Sequence, residues 1–241
     1  MKLLWGWAAA RCAFPACRTV CVADATVRDP AVATGIIAHI NAHADEGPRA
    51  NPAMSIDERD AYDNWILLCD GHARRVDVQP RSYLETDLRR WKADHERWVR
   101  ESLAQEMPEV GFAELEIVTG ALLGAPQAPA VDLAVLDPAE KMQRNGLTQR
   151  VRYELTLGLA KAREVRDFVQ HVALRDSAFP ESLKTGFLTE YRRLRDQGIG
   201  GDALFESLRA FAGGRRREFR EQAAGLAVLA YLFEACEVFE R

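Results

Sequence analysis

The chain has 241 residues, 48% of them hydrophobic and 28% charged, with a formal net charge of -4. This composition excludes a disordered chain and a polypeptide that coats nucleic acid through bulk positive charge, and it allows one large domain or two small ones. Five cysteines is an odd number, and four precede residue 70, which suits a reducing compartment and a metal site better than a disulfide framework.

The first ten residues superficially resemble a signal peptide, but the apolar run is at the short limit and Arg11 interrupts any cleavage site. A first helix packing Leu3, Leu4 and Trp7 is expected instead. No segment reaches the roughly 20 apolar residues that a membrane span needs, so a cytoplasmic protein without membrane contact is expected. Thr19 to Val22 is β-branched and short, as a hairpin strand would be, and a helix is expected over residues 30–35. Gly47, Pro48 and Asn51 belong to a loop. Ser55 followed by Glu58 is a capping-box signature for a short helix through Tyr62. After the apolar run Trp65, Ile66, Leu67 and Leu68, Thr86 is placed to cap an amphipathic helix over residues 87 to about 104. Its stripe holds Leu88, Trp91, His95, Trp98 and Leu103.

Residues 107–136 are rich in Gly, Ala and Pro and read as a linker, although Leu115, Ile117 and Val118 suit a short docked strand or helix. Three- and four-residue steps from Val151 to Val172 predict one long helix. A second runs over residues 180–196 and a third carries Leu204, Phe205, Leu208 and Phe211 behind an Asp202 cap. The last, over 223–239, is apolar nearly all round and must be enclosed, either by its own domain or by a second subunit in a homo-oligomer.

Two pairs of metal-capable side chains stand out. Cys12 with Cys17, and Cys69 with His72, have the short spacing that turns two ligands onto one tetrahedral ion. A small module buries little core, and a structural ion can supply the missing stability. Cys21 reads as a buried thiol that packs as a small hydrophobe. His39 lies between the two pairs.

The run Arg11 to Cys17, then His39, Gly47-Pro48-Arg49, Asn64 to Cys69, and His72 to Asp77, resembles an HNH endonuclease of the zinc-stapled ββα-metal kind, over roughly the first hundred residues. The resemblance implies a structural zinc on Cys12, Cys17, Cys69 and His72, and a Mg or Mn ion at the catalytic centre. It implies His39 as general base toward a DNA phosphodiester, Asn64 as the residue that orients it, and Arg49 as a phosphate contact. Two positions that often hold the catalytic cation in that family are Ala38 and Ala73 here. Asp77, and beside it Asp45, Glu46 and His43, are the substitute candidates. With Ala38 and Ala73 in place, the alternative is a degenerate zinc fold that binds or bridges partners without cleaving.

Pro138, Lys141 and Asn145, the helix from Leu147, Gly201 to Phe205, and Leu226 to Glu240 resemble the C-terminal domain of effectors in ABC three-component systems, as in Lamassu-like bacterial defence. That resemblance implies partners, an SMC-like ABC ATPase and a middle component, and an anti-phage effector. Cys236 and His171 then read as packing residues. The expected class is α+β: an HNH-like zinc module over 1–105, a linker over 106–136 and an all-α interaction domain over 137–241.

Overall fold

Apolar runs such as Ile36-Ile37 and Ile66 to Leu68 are too short to bury themselves alone, and in the computed structural model they pair with each other. The structure describes residues 2–123, 138–213, 218–235 and 239. The chain forms two compact units, Met1–Glu101 and Ser102–Arg241.

In the first unit, α1 (Lys2–Trp7) buries Leu4. The hairpin β1 (Val22–Ala23) and β2 (Val32–Ala33) follows, pairing Val22 with Ala33 and Ala23 with Val32. Residues 30–35, expected as helix, therefore hold β2 and the start of a strand. The physical reason is Gly35, where a Cβ would stand 2.6 Å from the Cys21 Cβ, so that extended backbone packs flat on Cys21. Next, β3 (Gly35–His39) pairs antiparallel with β4 (Trp65–Cys69), in register from Gly35 opposite Cys69 to His39 opposite Trp65.

Between β3 and β4 the predicted capping box is present at α2 (Ile56–Arg59), with both reciprocal Ser55 and Glu58 bonds. The helix stops at Arg59, and a 3-10 turn at Tyr62–Asn64 leads into β4. The helix α3 (Asp70–Val78) starts immediately after β4 and packs on both strands. A longer helix, α4 (Glu85–Glu106), buries Leu88, His95 and Val99, and it continues past the end of the first unit. It begins before Thr86, because the Asp87 carboxylate accepts from the Leu84 N–H at 3.2 Å and does the capping that Thr86 was expected to do.

Burying His95 fixes its protonation state. Its Nε2–H donates to the Ala8 carbonyl at 3.0 Å and its Nδ1 accepts from Arg18. Burial, with Arg18 beside it, pushes its pKa down to about 4.

In the second unit, part of the expected linker is the helix α5 (Phe112–Leu123), with Leu115, Val118 and Leu122 buried; residues 124–136 lie outside the described residues. Six more helices are described: α6 (Pro138–Arg144), α7 (Gln149–Leu159), α8 (Ala162–Ala173), α9 (Phe179–Asp196), α10 (Gly201–Ala212) and α11 (Phe219–Ala235). The predicted long helix breaks into α7 and α8 at Ala160 and Lys161, whose N–H groups bond back only three residues, to Leu157 and Gly158. Asp202 lies inside the first turn of α10, and its carboxylate accepts from the Thr148 N–H and hydroxyl instead of capping its own helix.

All of residues 222–230 in α11 are buried, and α5, α7, α8 and α10 surround them, so the unit encloses its own apolar helix. The fully buried Lys141 donates to the Phe233 carbonyl at 2.8 Å, satisfying an orphan acceptor near the end of α11. Asn145 donates to the Phe239 carbonyl at 2.6 Å and accepts from the Tyr191 hydroxyl at 3.1 Å. Elsewhere in the unit Glu154 stands 3.5 Å from Arg209; burial, then the neighbouring Glu206, pushes its pKa up to about 8. His171 is exposed beside Phe112, their ring centroids 5.9 Å apart, and Cys236 lies outside the described residues.

Two outcomes follow from this packing. A Cβ on Gly158 would stand 2.7 Å from both the Ala230 Cβ and the Leu226 carbonyl oxygen. Gly158→Ala should therefore part α7 from α11 and cost about 1–3 kcal/mol in denaturant unfolding. Below about pH 6.5 the unfolded chain takes up a proton that the buried His95 ring does not, and this uptake favours unfolding. The ring's contribution, about 3 kcal/mol, is present above about pH 6.5 and is lost as pH falls toward 4. An NMR titration of the ring should show its midpoint near pH 4.

Candidate metal centre and the histidine at the far end of the hairpin

The first knuckle is a tight turn closed by the Cys12 N–H on the Thr19 carbonyl (2.9 Å) and the Cys17 N–H on the Phe14 carbonyl (3.1 Å). Ala16 (φ 59) and Arg18 (φ 54) take the left-handed conformation that non-glycine residues rarely adopt. The Ala13 N–H donates to the Leu67 carbonyl at 2.8 Å and so hangs the turn on β4. The second knuckle is the junction of β4 and α3, with Cys69 at the N-cap and His72 in the first turn.

These elements bring Cys12, Cys17, Cys69 and His72 together, their ligand atoms all within 4.8 Å of one another. His72 Nδ1 lies 3.1 Å from Cys69 Sγ and 3.6 Å from Cys12 Sγ. A tetrahedral ion with bonds of about 2.3 Å to sulfur and about 2.0 Å to nitrogen separates its ligands by about 3.5–3.8 Å, so the cluster fits one. The His72 ring stacks on Phe14, centroids 3.8 Å apart and planes 3° from parallel, which fixes the direction of its Nδ1.

The electrostatics point the same way. Burial pushes the Cys12 thiol well above its ordinary pKa, so a thiolate there requires a cation beside it. At Cys17 burial opposes ionisation, yet hydrogen bonds to Thr19 outweigh it and hold the thiol below its ordinary value. Burial, with Arg75 nearby, lowers His72 and favours the neutral imidazole that ligates metals. Cys21 stays outside the cluster. Its buried thiol, pushed up to about 12 by desolvation, packs against Gly35 as the small hydrophobe expected.

His39 is at the other end of the hairpin. The register puts Cys69 opposite Gly35 and His39 opposite Trp65, four residues away, which is about 14 Å along a strand. The nine residues of α3 cover the same length, about 13.5 Å at a helical rise, and end beside His39. An ion in the cysteine cluster is therefore too far from His39 to share its chemistry. The His39 side chain is 33% exposed, but its Nε2 is buried, 3.6 Å from Asp60 Oδ1 and without a hydrogen bond.

Three sequence-based expectations need correction here. Asn64 does not touch the His39 ring. Its amide donates to the Asn41 carbonyl (2.8 Å) and the Arg59 carbonyl (2.9 Å), and its Oδ1 accepts from the Asn41 N–H (2.8 Å). It positions His39 through the backbone, because the next residue, Ile40, donates its N–H to the Asn64 carbonyl at 2.8 Å. Arg49 does not face solvent. Its side chain is 5% exposed and its guanidinium donates to the carbonyls of Ile40 (2.8 Å), Val76 (2.6 Å) and His39 (3.4 Å). Its remaining partner is Asp77, at 2.7 Å, which neutralises the carboxylate expected to bind a cation. Asn41 completes the clamp by donating to the Arg49 carbonyl (3.0 Å) and to Glu85 (2.9 Å).

Among the other candidates, Asp45 is paired with Arg59 at 2.7 Å and Glu46 is exposed. Ala38 and Ala73 both lie in the hydrophobic core. His43 faces Asp60, with Nε2 3.5 Å from Oδ2. Sequence reasoning missed Asp60, which joins the two histidines. Its one signal is its place at the end of the capping-box helix, four residues before Asn64.

The purified protein should carry about one equivalent of a thiophilic divalent ion, measurable by elemental analysis. Cys69→Ser should release it, and by removing a binding free energy of about 10 kcal/mol or more should unfold the first unit, seen as lost near-UV dichroism. No family model and no curated protein matches this chain.

Proposed function

We propose that the first unit is an HNH-type, metal-dependent endonuclease module, and that the ion of the Cys12, Cys17, Cys69 and His72 cluster is a structural zinc. The observation that most supports this reading is the placement of His39: partly exposed, with its Nε2 buried against the Asp60 carboxylate, at the end of a strand-strand-helix unit whose other end carries a cysteine-rich cluster the size of one ion. Three sulfurs and one imidazole nitrogen are the donor set of a closed zinc site, which holds structure and leaves no open position for substrate.

In this reading His39 Nε2 takes a proton from water as the water oxygen attacks phosphorus and the bond to the leaving oxygen breaks. A catalytic Mg or Mn ion supplies charge neutralisation at that leaving oxygen. Asn64 and Arg49 are positioning residues: they fix the backbone on either side of the base. The second unit is proposed as the docking domain of an ABC three-component effector, with an SMC-like ATPase and a middle component as partners. That part rests on the resemblance of its motifs alone, since α11 is already enclosed and presents no apolar face in need of cover. Among the described residues no helix is long and apolar enough to cross a membrane.

A specific observation favours a second reading, an interaction protein without catalysis. Ala38 and Ala73 are sealed in the core, and the arginine expected at the phosphate is turned inward. Supercoiled plasmid incubated with Mn2+ or Mg2+, with and without the ATPase partners, separates the two. Cleavage by the natural chain should fall at least about 100-fold in a His39→Ala variant that keeps its zinc. Equal cleavage by both, or none under every condition, leaves the interaction reading.

A further inference from the structure

Three acids in or near the β3–β4 connection are matched to arginines: Asp45 to Arg59, Asp77 to Arg49 and Glu85 to Arg89, each at 2.7 Å. Asp60 is different. Its two oxygens face two imidazole nitrogens, Nε2 of His39 at 3.6 Å and Nε2 of His43 at 3.5 Å, and among the described residues no lysine or arginine pairs with it. We propose that Asp60 and His43 hold a divalent cation beside His39; its catalytic role rests on the endonuclease reading, whereas its binding does not.

The geometry suits two ligands on one ion. Cis ligands are about 3.0 Å apart on an octahedral ion with bonds of about 2.1 Å, and about 3.4 Å apart on a tetrahedral one. The His43 and Asp60 atoms, at 3.5 Å, need only a slight inward turn. Both side chains are about half exposed, 53% for His43 and 51% for Asp60, so the remaining coordination positions open to water and to phosphate oxygens. His39 Nε2 makes no hydrogen bond and faces the same carboxylate. That nitrogen is buried against Asp60, so a water on the ion meets it only once the carboxylate turns onto the ion.

The pair is also held in place. Asp60 ends α2, its N–H on the carbonyls of Ile56 and Glu58, and the capping box fixes the other end of that helix. Arg59 donates to the His43 carbonyl at 2.7 Å and pairs with Asp45, so one buried guanidinium joins the turn carrying Asp60 to the loop carrying His43. Asn64 in turn holds the Arg59 carbonyl. The connection between β3 and β4 thus supplies the donors that Ala38 and Ala73 do not. An imidazole beside a carboxylate favours Mn2+, Co2+ or Zn2+ over Mg2+, which takes oxygen ligands.

The test is Mn2+ binding to the full chain loaded with zinc at the cysteine cluster, followed by electron paramagnetic resonance. The natural chain should bind one Mn2+, with Mg2+ a poor competitor. Asp60→Asn and His43→Gln, isosteric changes at exposed positions, should each weaken binding at least tenfold with zinc content and dichroism unchanged. His39→Ala should retain it. Unchanged Mn2+ affinity in both Asp60→Asn and His43→Gln overturns the proposal. Plasmid cleavage distinguishes the two readings: Mn2+ bound through Asp60 and His43 without cleavage refutes the endonuclease and leaves the site. Cleavage as fast in Asp60→Asn as in the natural chain refutes the catalytic role of the site and leaves the endonuclease.

Discussion

Convergence of Cys12, Cys17, Cys69 and His72 on a space the size of one ion is the constraint on which the first unit depends. Its two sheets are two-stranded and short, and such hairpins are marginal alone in water. Joining residue 17 to residue 69 closes a loop of about 50 residues, which in the chain-entropy picture of a cross-link removes about 4 kcal/mol of unfolded-state freedom. That is of the order of a small domain's whole stability. It also offsets the left-handed backbone at Ala16 and Arg18, which costs about 1–2 kcal/mol per residue.

A second layer of organisation lies in polar groups buried inside the β3–β4 connection. Asn41, Asn64 and Arg49 all have partners, and they tie the end of β3 to the end of α3 and to Glu85 of α4. Fully satisfied networks of this kind fix one conformation, whereas a single missing partner leaves a desolvated donor or acceptor. The loop holding His43 and Asp60 is long for a hairpin, yet Arg59 and Asn64 give it an interior made of hydrogen bonds instead of apolar side chains.

The metal knuckles, the capping box at Ser55 and the burial of the last helix were legible in the sequence, because each depends on spacing within a few residues or on the absence of a polar face. The placement of Arg49, Asn64 and Asp60 was not. Each is decided by partners five to almost thirty residues away, and a sequence pattern that marks a polar residue does not say whether its side chain faces water or backbone. The break between α7 and α8 escaped for a related reason: their apolar steps continue across Ala160, and only the close passage of α11 at Gly158 marks the interruption. At residues 30–35 a helix was expected, and the close contact of Gly35 with Cys21 sets extended backbone instead.

The inward turn of Arg49 and Arg59 has an electrostatic consequence. Both guanidiniums are committed to carbonyls and to Asp77 and Asp45, so neither is offered to a polyanion beside His39, although Arg74 and Arg75 of α3 are exposed. Affinity for a nucleic acid scales with the number of counterions that cationic side chains displace. Contact with such a strand at this face would then release fewer ions than the arginines of the loop suggest, and depend less steeply on ionic strength.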